Sequence, residues 1–192
     1  MNKITRMADI QLRSAEEKES REVEGIAAVF NQATDLGWFT EEIDCNAFEG
    51  CDMSDVVLNF NHDNNFVLAR TTNGSLQLEI TDEGLRQMST IIDTTTGEDV
   101  LKMVRSGLIN KMSFAFTIAE DEWVDHFGAE KDHRIIKKID RLYDVSLVTF
   151  PAYNQTSAFA RSEDSLVEEH KRYKEKFEAQ KLEMEKIVNG KD

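Results

Sequence analysis

Met112-Ser113-Phe114-Ala115-Phe116-Thr117-Ile118 alternates large apolar with small side chains along its whole length. That period of two belongs to a β-strand, not to a helix. Met112, Phe114, Phe116 and Ile118 share one face; Ser113, Ala115 and Thr117 share the other. Three phenylalanine- and methionine-sized groups in a row need a covering layer, so the strand must lie in a sheet packed on a core. A second strand is expected over Arg141 to Phe150 and should stop at Pro151, the only proline, which has no N–H for a ladder.

The rest of the chain fits around these two segments. Val23, Ile26, Ala28 and Phe30 suggest an earlier strand with a bulge at Gly25. Asn73-Gly74, between Phe66-Val67-Leu68-Ala69 and Leu76-Gln77-Leu78-Glu79-Ile80, is a hairpin signal. Asp82-Glu83-Gly84 marks a further turn, and together these predict an antiparallel meander. A helix is expected from Gly97 to Ser106, with Thr96 and Asp99 as a capping box and Gly107 as the C-cap. Val100, Leu101, Val104 and Leu108 form its apolar stripe.

Three stretches differ in character. Residues 1–22 are polar and charged, and suit a flexible lead-in or an edge strand. Residues 23–161 hold the globular pattern. From 162 to 192 the chain is dense in Glu, Lys and Gln, with Gly190 its only glycine, as a long helix would be. Leu166, His170, Tyr173, Phe177, Gln180, Met184 and Ile187 give that tail a seam for a partner helix.

Charge narrows the function classes. Lys+Arg 23 against Asp+Glu 37 leaves −14, so the basic footprint of a nucleic-acid or anionic-membrane binder is missing. No apolar run approaches the ~20 residues of a bilayer span, and the start has no secretory leader pattern. The expectation is a soluble intracellular chain whose two cysteines, Cys45 and Cys51, remain reduced.

Three residues stand out chemically. His62 follows Val56, Leu58 and Phe60 by period two, at the polar end of an apolar segment. It suits a general base near solvent, or a hydrogen-bonded structural histidine. Ser113 lies on a stiff strand, as a nucleophile requires, or is an ordinary strand serine; Ser146 is its rival. Asp144, between Tyr143 and Val145, needs a partner: an imidazole, or a cation from Lys137, Lys138 or Arg141. Cys45 or Cys51 with His62 is a further nucleophile option. His126 and His133 sit in a charged stretch without paired cysteines, so no metal is expected. With no Walker-type or GxGxxG loop, no cofactor is expected either.

Taken in order, Gly25-Ile26-Ala27-Ala28-Val29-Phe30, Glu42-Ile43, Ala47-Phe48, Asn61-His62-Asp63, Gly84-Leu85, Met112-Ser113-Phe114-Ala115-Phe116 and Asp144-Val145-Ser146-Leu147-Val148-Thr149-Phe150-Pro151-Ala152-Tyr153 resemble the prohead serine proteases of tailed bacteriophages. These are the capsid-maturation peptidases related in fold to herpesvirus assemblin. The resemblance implies a mainly β fold with flanking helices, an assemblin-like antiparallel β-barrel, and a separate C-terminal helical tail. It implies His62 as base, Ser113 as nucleophile and Asp144 as third member, with Ser146 in support. It further implies a serine endopeptidase cutting scaffold or the scaffold-like region of the major capsid protein, with self-cleavage and self-association, inside the immature prohead in the host cytoplasm. A catalytically inactive assembly factor on the same fold is the alternative. Assemblin-like enzymes carry paired arginines on the oxyanion loop after the third triad member. Thr149 to Thr156 has none, so that loop is left unassigned.

Overall fold

The computed structural model describes residues 4–8, 13–14, 20–36, 39–124 and 131–149, with Lys171 and Glu175 beyond them. By its contacts the chain divides into Met1–Tyr153 and Asn154–Asp192. In chain order the elements are β1 (Ile4–Ala8), β2 (Arg13–Ser14), β3 (Glu22–Val29), β4 (Thr34–Asp35), β5 (Phe39–Ile43) and β6 (Val57–Phe60). There follow β7 (Asp63–Arg70), β8 (Leu76–Ile80), β9 (Gly84–Thr90), α1 (Thr95–Arg105), β10 (Lys111–Val124) and β11 (Asp132–Val148).

The expected strand pair is the spine of the larger sheet, ordered β1-β10-β11-β5-β4. β10 and β11 run antiparallel, and their register is unbroken from Lys111↔Val148 to Ala115↔Asp144. At 17 residues, β11 is long enough to carry two short strands end to end on one edge. β5 pairs in parallel with Asp132 to Ile136, and β6 in parallel with Asp144 to Leu147. β7 then adds to β6. The second sheet is β2-β3-β9-β8. One core draws on both sheets and α1: Val23 and Ala28, Leu85, Val100 and Leu101, Phe114 and Phe116, Val145 and Leu147. Phe114 stacks on Phe116 at 4.9 Å between centroids, so the predicted apolar face of β10 is the one that anchors it.

Several expectations change. Among the described residues the strands form two sheets and close no barrel, and β11 takes both its short neighbours in parallel. The bulge in β3 lies between Ile26 and Ala28, not at Gly25. Asn73-Gly74 makes no hairpin, since β7 and β8 belong to different sheets. Thr71–Asn73 winds into a 3-10 turn and Gly74 takes φ 77°. The Asn73 side chain then accepts from Ser75 N–H at 3.0 Å, turning the chain into the second sheet. The helix is capped by Thr94, whose hydroxyl accepts from Gly97 N–H at 3.1 Å. Leu108 is exposed, because Gly107 at φ 75° ends the stripe one turn early. Pro151 and the tail seam lie outside the described residues, where Lys171 and Glu175 are helical and exposed. Among the described residues no helix is long and apolar enough to cross a membrane.

Gly84 shows how tightly β9 is laid on β3. A Cβ there would sit 1.9 Å from the Ala28 carbonyl oxygen and 2.8 Å from the Ile26 side chain. The obstruction is backbone and cannot swing away. Gly84→Ala is expected to cost about 3 kcal/mol, read as a lowered midpoint in urea unfolding. An unchanged midpoint would mean that β3 yields at its bulge.

Candidate active site

β10, β11 and β6 lie side by side at one level of the larger sheet. Ser113 on β10 faces Ser146 on β11, and Ser146 faces Asn59 on β6. Asp144 stands two residues before Ser146 and therefore on the same side of β11. All four are fully or almost fully buried. The small, polar side of β10 is thus as deeply covered as the aromatic side.

His62 arrives by an unusual route. β6 ends at Phe60, and Asn61 and His62 follow with φ 53° and 57°. Two consecutive non-glycine residues in the left-handed region are costly, and asparagine tolerates that region best. Here the turn is bolted to β11. Asn61 N–H donates to Leu147 O at 2.9 Å, and its side-chain amide exchanges hydrogen bonds with Thr149 at 3.0 and 3.2 Å. His62 N–H donates to Ser146 Oγ at 3.1 Å. On the far side, the Asp63 carboxylate accepts from Asn65 N–H at 2.8 Å and restarts the chain into β7.

The turn swings the imidazole over the polar row. His62 Nδ1 lies 2.6 Å from Asp144 Oδ1, and Nε2 lies 2.6 Å from Ser113 Oγ. Asp144 is 1% exposed and His62 25%. A carboxylate, an imidazole and a hydroxyl are therefore joined in sequence, the imidazole alone touching solvent. With Nδ1–H donated to Asp144, Nε2 is left with a lone pair facing the serine hydroxyl, an arrangement able to take up its proton. Two of the cations expected as alternative partners for Asp144, Lys137 and Arg141, pair elsewhere. Lys137 donates to Asp44 at 2.6 Å, which holds that carboxyl below its usual range, and Arg141 pairs with Asp52 at 3.6 Å.

The other candidates are not brought to this point. His133 lies on β11 with Nδ1 2.7 Å from Thr40 Oγ1; His126 and His170 are outside the described residues. Among the described residues no cluster fit to hold a metal ion exists. The described contacts of Cys45 run to Asp44, not to His62. Burial pushes the Cys51 thiol up to about 11, so it stays protonated at neutral pH and is a poor nucleophile. Iodoacetamide at neutral pH should therefore alkylate exposed Cys45, spare Cys51 and leave cleavage intact, as peptide mapping and an activity assay will read. Loss of activity with alkylation of Cys51 would move the chemistry to a thiol.

Sequence reasoning passed over Asn59. By alternation it belongs to a solvent-facing side of β6, yet it is fully buried beside Ser146. A polar residue inside an apolar run was the available signal.

The chain's sequence matches the family described as Caudovirus prohead serine protease over residues 8–172. No curated protein matches it. Among solved structures it is similar to the bacteriophage T4 capsid assembly protease. The identity is 12%, the match covers 78% of this chain and 98% of that one, and the TM-score is 0.50, a likeness of fold. With most of its length inside the family match, this chain belongs to the Caudovirus prohead serine proteases, serine-type peptidases that act in capsid maturation.

Proposed function

We propose that Ser113, His62 and Asp144 are the nucleophile, base and orienting acid of this peptidase. The observation that carries the reading is the unbroken pair of 2.6 Å hydrogen bonds through one imidazole. Ser113 Oγ attacks the peptide carbonyl carbon while its proton passes to His62 Nε2. Asp144 holds the ring and stabilises its cationic form. The tetrahedral intermediate then expels the amine, which takes the proton from Nε2, leaving an acyl ester on Ser113. Water, deprotonated by the same nitrogen, hydrolyses that ester. Backbone N–H donors for the oxyanion are worth about 3 kcal/mol each.

The substrates in this reading are scaffold protein or the scaffold-like region of the major capsid protein, and the enzyme itself, inside the immature prohead in the host cytoplasm. It treats the two-sheet fold as assemblin-like, with residues 1–22 as an edge lead-in to a protease domain at 23–161. The tail at 162–192 docks on helical scaffold or on a second copy. An inactive assembly factor would have no use for a hydroxyl–imidazole–carboxylate chain, two members of which are buried. Intact mass spectrometry of the enzyme co-expressed with its capsid and scaffold proteins tests this. Trimmed products from the wild type, absent with Ser113→Ala, support the reading; identical products from both overturn it.

A further inference from the structure

Ser146 Oγ is the most contested atom near the site. It accepts His62 N–H at 3.1 Å, lies 3.2 Å from His62 Nδ1 and 3.4 Å from Asp144 Oδ1, and contacts Asn59 Oδ1 most closely. A hydroxyl has a single proton and two lone pairs, so it cannot donate to both Asn59 and Asp144. Meanwhile Asn59 Nδ2 is buried without a partner. Both oddities end if the Asn59 amide is turned by half a rotation, which exchanges its oxygen and nitrogen without moving any other atom. Nδ2–H then donates to Ser146 Oγ. The serine oxygen accepts from Asn59 and from His62 N–H, and its own proton is released toward Asp144 Oδ1.

We infer that Asn59 and Ser146 are a positioning pair for catalysis: Asn59 donates to Ser146, and Ser146 donates to the Asp144 oxygen that holds His62. This inference rests on the triad reading above. Asp144 Oδ1 then receives two donors, the Ser146 hydroxyl and His62 Nδ1–H, and the carboxylate can no longer rotate. The same serine oxygen pins the His62 backbone in its left-handed turn. One side chain therefore fixes the histidine at both its backbone and its ring partner. Neither Ser146 nor Asn59 touches the reacting atoms; both act through Asp144 and His62.

The experiment is ¹⁵N and ¹H NMR of the His62 ring in the full-length protein, run beside cleavage of co-expressed capsid protein. The variants are Ser146→Ala, Asn59→Val and Ser113→Ala. In the wild type the ring should hold its proton on Nδ1, with the far-downfield resonance of a strong hydrogen bond. Ser146→Ala should weaken or lose that resonance, mix the tautomers, and slow cleavage roughly 10- to 100-fold, the usual scale for removing an outer-shell orienting group. Asn59→Val should act in the same direction, by about tenfold. Its thermal midpoint should change little, because Ser146 keeps His62 N–H and Asp144 Oδ1 as partners and no buried group is left unpaired. Activity falling while stability does not is a result that a merely structural role cannot give. Should both variants keep the wild-type resonance and rate, or lose rate only in step with stability, the pairing is overturned and the triad stands. Should Ser113→Ala cleave like the wild type, the triad reading itself fails.

Discussion

Ser113→Ala is expected to leave capsid protein and enzyme at full length under conditions where the wild type trims both. Loss of a triad serine costs at least about 10⁴-fold in turnover, so the contrast in an intact-mass experiment is close to all-or-none. The protein should still fold. Ser113 contributes one hydroxyl to a strand whose anchorage comes from Met112, Phe114 and Phe116 on the other face, and alanine keeps the Cβ. A thermal midpoint within a few degrees of the wild type, with cleavage gone, assigns the loss to chemistry. Geometry also separates Ser113 from its rival. Ser146 Oγ lies 3.2 Å from Nδ1, the nitrogen whose proton goes to Asp144, so it has no base to receive its own. Ser113 faces Nε2, the nitrogen left with a lone pair. Trimming by Ser113→Ala that is abolished by Ser146→Ala would reverse this assignment.

What could be read from the sequence divides along local and non-local lines. β10 was legible because alternation is a property of one strand, and Met112, Phe114 and Phe116 are buried as that pattern requires. That the opposite face is also buried was not, since Ala115 and Thr117 pass for surface residues until something covers them. The placement of His62 differs from what alternation predicts. Alternation placed it in the Val56-Leu58-Phe60 row, whereas two positive-φ residues turn it onto the side of Asn59 and Ser146. Backbone handedness at non-glycine residues leaves no mark on hydropathy. The corner at Asn73-Gly74 failed likewise: the signal marks a reversal, but only pairing elsewhere decides whether the two arms stay in one sheet. The parallel seating of β5 and β6 on β11 joins segments about 90 residues apart, as in Thr40↔His133 and Asn59↔Ser146, and no short-range pattern encodes that.

Asp144→Asn is the sharper test of how the three residues cooperate, because it changes a charge and a hydrogen while keeping the shape. Asp144 can only accept from His62 Nδ1, and so holds the ring proton there. An asparagine in its place offers an NH₂ at the same 2.6 Å contact. The favourable response is for the ring to move its proton to Nε2 and accept at Nδ1. Nε2–H then points at Ser113 Oγ, and the base has become a donor to the atom it should deprotonate. Turnover is expected to fall by about 10⁴-fold, assayed as cleaved capsid protein per enzyme over time. Stability should change little, because asparagine fills the same volume and keeps a hydrogen bond to the ring, leaving no buried group at that contact unpaired. The same ¹⁵N measurement shows the cause directly, as a shift of the His62 proton from Nδ1 to Nε2. Cleavage reduced only a few-fold with the tautomer unchanged would mean that Ser146, and not Asp144, holds the ring, and the order of the chain from Asp144 to Ser113 would have to be redrawn.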